Sequence, residues 1–244
     1  MPQDRPKIRL HLDAPLAAGT DVTLSRDQAN YLGAVMRLSP GARLLVFNGR
    51  DGEWLAEATA LTKRAGTLRL LERTRPPAPP PDLWLLFAPV KKARTDFIVE
   101  KACELGCRRI LPTLTAYTNA ERVRTDRLRA HMIEAAEQCG LVWVPEVEEP
   151  ERLATRLDSW PANRRLLFCN ERGGTPAATA LSAVDPGPWA IVIGPEGGFS
   201  AEEAARLARH PGALAVSLGP RILRADTAAV AAITLWQAAL GDWT

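Results

Sequence analysis

Five prolines fall within the eight residues RPPAPPPD at 75–82, and neither a helix nor a central strand can run through them. Proline fixes φ near −65° and has no N–H to donate, so both ladders are interrupted. The stretch predicts a stiff linker that cuts the chain in two. Before it the pattern is mostly β. Lys7–Leu12 and Val22–Leu24 predict short strands, Arg43–Phe47 and Glu53–Leu61 a hairpin around NGRDG, and Thr67–Glu72 a further strand. Helical spacing occurs only in RDQANYLGAVMRL (26–38), with Ser25 as its cap. Residues 1–75 therefore predict a small barrel with one or two helices.

After the linker, strand and helix alternate. Strands are predicted at Leu83–Ala88, Arg109–Leu111, Arg165–Cys169, Trp189–Ile193 and Ala213–Leu218. Helices are predicted at Thr95–Leu105, Thr125–Gln138, Glu151–Leu157, Ala201–Arg209 and Thr227–Leu240. This alternation over 83–244 implies an α/β domain with a mainly parallel sheet. Ligands of such sheets bind at loops leaving the carboxyl ends of strands.

Composition narrows the function classes. The 244 residues are 46% hydrophobic and 24% charged, as in an ordinary globular protein with a real core. No apolar run is long enough for a membrane span, and MPQDRPKIRL lacks a signal-peptide core, which predicts a cytoplasmic protein with no membrane partner. Cys103, Cys107, Cys139 and Cys169 form no CxxC pair, and the three histidines are scattered, so no metal site, disulfide framework or His-based triad is predicted. Residues 1–75 hold twelve Lys and Arg against eight Asp and Glu, while the remainder is close to neutral. A second basic run, Arg108, Arg109, Arg122, Arg124, Arg127 and Arg129, lies in the larger half. Together they hint at a polyanionic partner, with an ordinary solvated surface as the alternative.

Three strand ends carry the polar residues and glycines that chemistry needs: LLFCNERGG (166–174), IVIGPEGGFS (191–200) and VSLGPRILRADT (216–227). Glycine turns let a flat ligand lie against backbone, although by themselves they also fit a tight strand-to-helix turn. Neither GxxxxGK[ST] nor GxGxxG is present, which argues against a familiar phosphate cradle. Ser200 and Glu203 fit a capping box, and Asp226 fits the N-cap of the last helix.

IGPEGGFS followed by SLGPRILRADTA resembles the RsmE family of 16S rRNA uridine-N3 methyltransferases, within the SPOUT superfamily. PVKKARTDFIVEKACELGCRRILPTLTAYT, HMIEAAEQCGLVWVPEV and LLVFNGRDGEWLAE extend the likeness over nearly the whole chain. The resemblance implies a PUA-like RNA-binding barrel (1–75), the linker (76–82) and a SPOUT α/β domain (83–244) with a C-terminal trefoil knot. It implies S-adenosylmethionine as cofactor, 16S rRNA of the small ribosomal subunit as partner, and a homodimer. The cofactor pocket would then take Phe168, Asn170 and Glu171 from the first loop and Ile193, Gly194, Pro195, Gly197 and Gly198 from the second. Leu218, Gly219, Ile222, Leu223 and Thr227 complete it. Relatives often carry His where this chain has Asn170.

Uridine N3 must lose a proton before it can accept a methyl group, so a base or a cation near the uridine oxygens is required. Arg224 is the candidate cation and Glu196 the candidate base, its carboxylate being able instead to orient backbone or cofactor. Expected RNA contacts are Arg9, Arg26, Arg37, Lys91, Lys92, Arg94 and Arg221. The last helix, with Val230, Ile233, Leu235, Trp236 and Leu240 spread around it, predicts a second buried face with Trp236 as dimer anchor. Competing functions are ribose 2′-O-methylation of rRNA or tRNA, and RNA binding without catalysis.

Overall fold

The computed structural model describes residues 6–119, 122–171 and 173–243, which leaves Glu121 and Arg172 outside the described residues. The chain forms two compact units, one running to Pro79 and taking back Ala136–Val144, the other holding Pro80–Ala135 and Pro145 onward. The break therefore falls inside the proline stretch. The expectation of one unbroken second domain from residue 83 missed the return of 136–144 to the first unit.

In the first unit, β1 (Arg9–His11), β2 (Asp21–Thr23), β3 (Arg43–Phe47), β4 (Glu53–Leu61) and β5 (Gly66–Arg75) form one sheet in the order β1-β3-β4-β5-β2. Leu45 of β3 stands opposite Leu55 of β4, so the hairpin register puts apolar residues across from one another. Leu10, Leu44, Val46, Ala56, Leu68 and Leu70 build the core of this unit. Helix α1 (Arg26–Asn30) starts with a reciprocal capping box between Ser25 and Gln28. It does not run straight on to residue 38, but widens into a π-helical turn at Tyr31–Val35. Gly33 lies in that turn with its backbone against the Thr62 carbonyl, where a Cβ would come within 3.2 Å.

The same unit explains why 136–144 belongs to it. Arg9 donates to Glu53 Oε2 at 3.0 Å and to the carbonyls of Ala136, Glu137 and Leu141 at 2.5, 3.1 and 2.6 Å. Arg75 donates to Glu53 at 2.5 Å and to the Gly140 carbonyl at 2.8 Å. The Glu53 side chain is 0% exposed, so two guanidiniums compensate one fully buried carboxylate.

The second unit contains β6 (Leu83–Phe87), α2 (Lys92–Glu104), β7 (Arg109–Leu114) and α3 (Thr125–Cys139), whose last turn is grouped with the first unit. It continues through β8 (Glu146–Val147), β9 (Glu151–Arg152), α4 (Leu153–Asp158), β10 (Arg165–Cys169), β11 (Thr175–Pro176) and α5 (Ala177–Leu181). It ends with β12 (Trp189–Ile193), α6 (Ala201–Arg209), β13 (Ala213–Ser217) and α7 (Ala225–Leu240). The sheet order is β11-β13-β10-β12-β6-β7-β8, with β9 pairing β7, and every pairing is parallel. All five residues of β12 are buried, as a central parallel strand requires.

Two expectations about α7 change. Its N-cap is Arg224, so Asp226 sits in the first turn, where its carboxylate accepts from the Thr227 N–H at 2.9 Å. Trp236 is 1% exposed within the single chain and cannot anchor a contact with a second one. The helix is packed more fully inside its own subunit than an Ala-rich sequence suggested. The next residue, Gln237, donates to the Leu105 carbonyl at 2.6 Å.

Candidate active site

Parallel strands β10, β12 and β13 are neighbours, so the three glycine-bearing loops leave the same edge of the sheet. A cleft of about 110 Å³ lies between them. The loop after β10 contributes Asn170 and Glu171, that after β12 contributes Gly194, Pro195 and Gly198, and that after β13 contributes Leu218 to Leu223. Ile193 and, from the start of α7, Ala225 and Ala228 give it an apolar wall. Its charged lining groups are Glu171 and Arg221.

The glycines answer to particular neighbours. Gly198 has φ +70°, a left-handed conformation, and a Cβ there would collide with the Glu171 carboxylate. A Cβ at Gly194 would meet the Phe199 ring at 2.9 Å, and one at Gly197 would meet Tyr117 Cβ at 3.3 Å. The space the glycines leave is thus filled in part by the protein itself, which draws the three loops close. Next to this turn, α6 begins with Ser200 Oγ accepting from the Glu203 N–H at 3.1 Å. The Glu203 carboxylate returns the bond to Ser200 at 3.0 Å and also accepts from the Ala116 N–H at 2.7 Å.

Ten of the residues expected at the cofactor line the cleft: Asn170, Glu171, Ile193, Gly194, Pro195, Gly198, Leu218, Gly219, Ile222 and Leu223. Phe168, Gly197 and Thr227 do not. Phe168 is buried in the core, edge-on to Phe199 with ring centroids 5.5 Å apart. Cys169, Phe199, Ser217 and Pro220 line it without having been expected. Desolvation pushes the Cys169 thiol up to about 12, so it stands as a neutral thiol rather than a nucleophile.

The two expected catalytic residues part company. Arg224, between lining residues Leu223 and Ala225, is exposed, and its guanidinium makes no hydrogen bond or ion pair among the described residues. Glu196 is outside the lining and pairs with Arg94 at 3.2 Å, while Arg94 also stands 3.7 Å from Asp226. The Glu196 carboxylate, expected as a base, and the Arg94 guanidinium, expected at RNA, thus face one another in a partly exposed pair.

Arg9, expected at RNA, has its guanidinium enclosed by the Glu53 carboxylate and three carbonyls rather than presented to a partner. Arg26, Arg37, Lys91, Lys92 and Arg221 are exposed. Arg37 has φ +56°, an uncommon conformation for a side chain of its size, one residue beyond Met36, the C-cap of the π-helical turn. Among the described residues no group of three or more His, Cys, Asp or Glu could hold a metal ion, and no helix is long and apolar enough to cross a membrane.

The chain matches the family model of the RNA methyltransferase domain over residues 77–237 and that of the RNA methyltransferase PUA domain over 24–71. It is 31% identical to ribosomal RNA small subunit methyltransferase E of Rickettsia conorii, over 92% of this chain and 93% of that protein. It is 34% identical to the protein of the same name from Synechocystis, over 87% of this chain and 71% of the other. Among solved structures, ribosomal RNA small subunit methyltransferase E from Neisseria gonorrhoeae, bound to S-adenosyl methionine, superposes with a TM-score of 0.87 at 28% identity, covering 97% and 99% of the two chains. A Legionella pneumophila protein in complex with the cofactor SAM superposes with a TM-score of 0.85 at 30% identity, covering 98% and 100%.

Proposed function

The chain belongs to the RNA methyltransferase family, alongside the ribosomal RNA small subunit methyltransferases E, and from that premise we propose that it methylates N3 of a uridine in 16S rRNA of the small ribosomal subunit, using S-adenosylmethionine. The observation that carries this reading is the cleft between the loops after β10, β12 and β13, in a chain that superposes on relatives holding that cofactor. The lining suits the group. Leu218, Leu223, Ile193 and Ala228 offer apolar contact to an adenosine, and the two Gly-Pro turns that line the cleft offer backbone donors and acceptors to its edge. Glu171 and Arg221 complement the ammonium and carboxylate of the methionine end.

When bound, S-adenosylmethionine supplies an electrophilic methyl group on a sulfonium sulfur that departs as a neutral thioether. The protein must align the acceptor and favour its anion. Good alignment supplies roughly 7–11 kcal/mol of a barrier of this kind. Arg224, beside the cleft with its guanidinium unpaired among the described residues, is the group to hold a uridine oxygen as N3 gives up its proton to solvent. A base within structured RNA reaches such a cleft by flipping out of its stack.

Reaction with small subunits from a strain lacking the enzyme, followed by nucleoside mass analysis, is expected to yield 3-methyluridine. A 2′-O-methylated nucleoside would give the ribose reading instead, and no methyl transfer together with no cofactor binding would leave only an RNA-binding protein. Within the same reading, Gly198→Val forces a β-branched side chain into left-handed backbone against Glu171. Calorimetry is expected to show at least tenfold weaker cofactor binding, about 1.4 kcal/mol; unchanged binding in the folded variant would count against the cleft.

A trefoil knot in the C-terminal third and a homodimer also belong to this proposal, with a cytoplasmic protein to match. Ile222 is 82% exposed at the mouth of the cleft, and Val230 and Leu235 of α7 are only half-buried. An aliphatic side chain so placed is better covered by a second subunit than by water. Light scattering is expected to give about 53 kDa, twice the 26.6 kDa chain. A monomer with full activity would refute the shared interface.

A further inference from the structure

The second basic run of the sequence does not stay together in the fold. Arg108 donates to the Pro80 carbonyl, and Arg109 pairs with Glu146 and Glu148. Arg122, Arg124 and Arg127 instead turn to a cavity of about 620 Å³ at the first turns of α2 and α3, where Lys91 and Lys92 join them. Among the described residues, five cations line this space against a single carboxylate, Asp96, which is already paired with Arg127. Lys91, Lys92 and Arg122 have no ion pair among the described residues, and Arg124 has only an exposed one with Asp126. Its floor is apolar, with Val90, Val123 and Leu128 beneath the charges. A solvated face of alternating signs would have none of this imbalance.

The cavity also adjoins the candidate active site. Arg94 lies two residues beyond Lys92 on α2 and pairs with Glu196 in the turn after β12. One side-chain pair thus runs from the helix turn that follows Lys92 to the loop whose Gly194, Pro195 and Gly198 line the cofactor cleft. We propose that this cavity binds the phosphodiester backbone of the single-stranded RNA next to the target nucleotide, so that Lys91, Lys92, Arg122 and Arg124 act as positioning residues for the flipped base. The inference rests on the rRNA methyltransferase reading above. Its volume lies within the roughly 300–1,000 Å³ of small-ligand sites, enough for a sugar and its phosphates but not for a duplex.

The test compares the wild type with K91Q/K92Q and R122Q/R124Q, using S-adenosylmethionine, oligouridylate and isolated small subunits. Both variants are expected to bind the cofactor as the wild type does by calorimetry. Oligouridylate binding is expected to weaken at least tenfold, and the slope of log K against log salt to fall by about one for each phosphate contact removed. The KM for small subunits should rise while kcat at saturation holds, and K91R/K92R should recover the loss. Unchanged oligouridylate affinity and salt slope in variants that bind cofactor would overturn the proposal. Intact oligouridylate binding with weakened subunit binding would overturn it too, and give the cavity to an acidic protein segment. A wild type that methylates no rRNA would sink the parent reading instead, so the two failures are separable.

Discussion

Arg224→Ala is expected to lower kcat for rRNA methylation by about 10²–10³-fold, the range seen when one preorganised donor to a developing anion is removed. The cofactor Kd is expected to stay within threefold, because Arg224 stands at the rim of the cleft and not among the groups lining it. Its neighbours explain why no other group substitutes for it. Arg94 is engaged by Glu196 and Asp226, and Glu196 itself faces that guanidinium. Arg221 lines the cleft but lies three residues earlier in the loop, where the proposed reading assigns it to the methionine carboxylate. The proton of N3 must therefore be lost against a poor local field once Arg224 is gone. Raising the pH should restore part of the rate in the variant, since hydroxide then does what the guanidinium did. Arg224→Lys should recover less than full activity, because an ammonium lacks the planar fork that brackets a carbonyl oxygen. A kcat within a few-fold of the wild type would assign the cation to another residue.

Local chemistry was legible where it acts over a few residues. The hairpin strands Arg43–Phe47 and Glu53–Leu61, the central strand Trp189–Ile193 and the helix Ala201–Arg209 stand where period, turn residues and the Ser200–Glu203 box predict them. Pieces too short to show a period were missed: β11 has two residues and α5 five, directly after a Gly-Gly turn. The helix 26–38 was misjudged because the sequence does not reveal that Gly33 must accommodate the Thr62 carbonyl. Side-chain partners were hidden in the same way, over distance. Arg94 and Glu196 are 102 positions apart, and each alone looks like a surface charge available to a ligand. The family motifs located the three loops. Only the fold showed which of their residues face the cleft and that Phe168 belongs to the core behind it.

Arg9 is the furthest case of such hidden partners, and its replacement has a second large expected effect. Arg9→Ala should destabilise the protein by about 3 kcal/mol in chemical denaturation, the lower end of what removing one partner of a buried pair costs. Glu53 would keep Arg75 and the Thr74 hydroxyl, which accounts for the lower end. The carbonyls of Ala136, Glu137 and Leu141 would keep nothing of the donor they share. Burial lowers the Arg9 pKa and the Glu53 hydrogen bond and charge oppose that shift, so the charge is supported by its partner and not by water. Arg9→Lys should rescue little, since one ammonium cannot span a carboxylate and three carbonyls at once. A structural role makes a second measurement decisive. The salt dependence of RNA binding by the folded fraction of Arg9→Ala should match the wild type, whereas Arg26→Ala and Arg37→Ala, both exposed, should each reduce the slope by about one. A stable Arg9→Ala protein with a reduced slope would return Arg9 to the RNA surface.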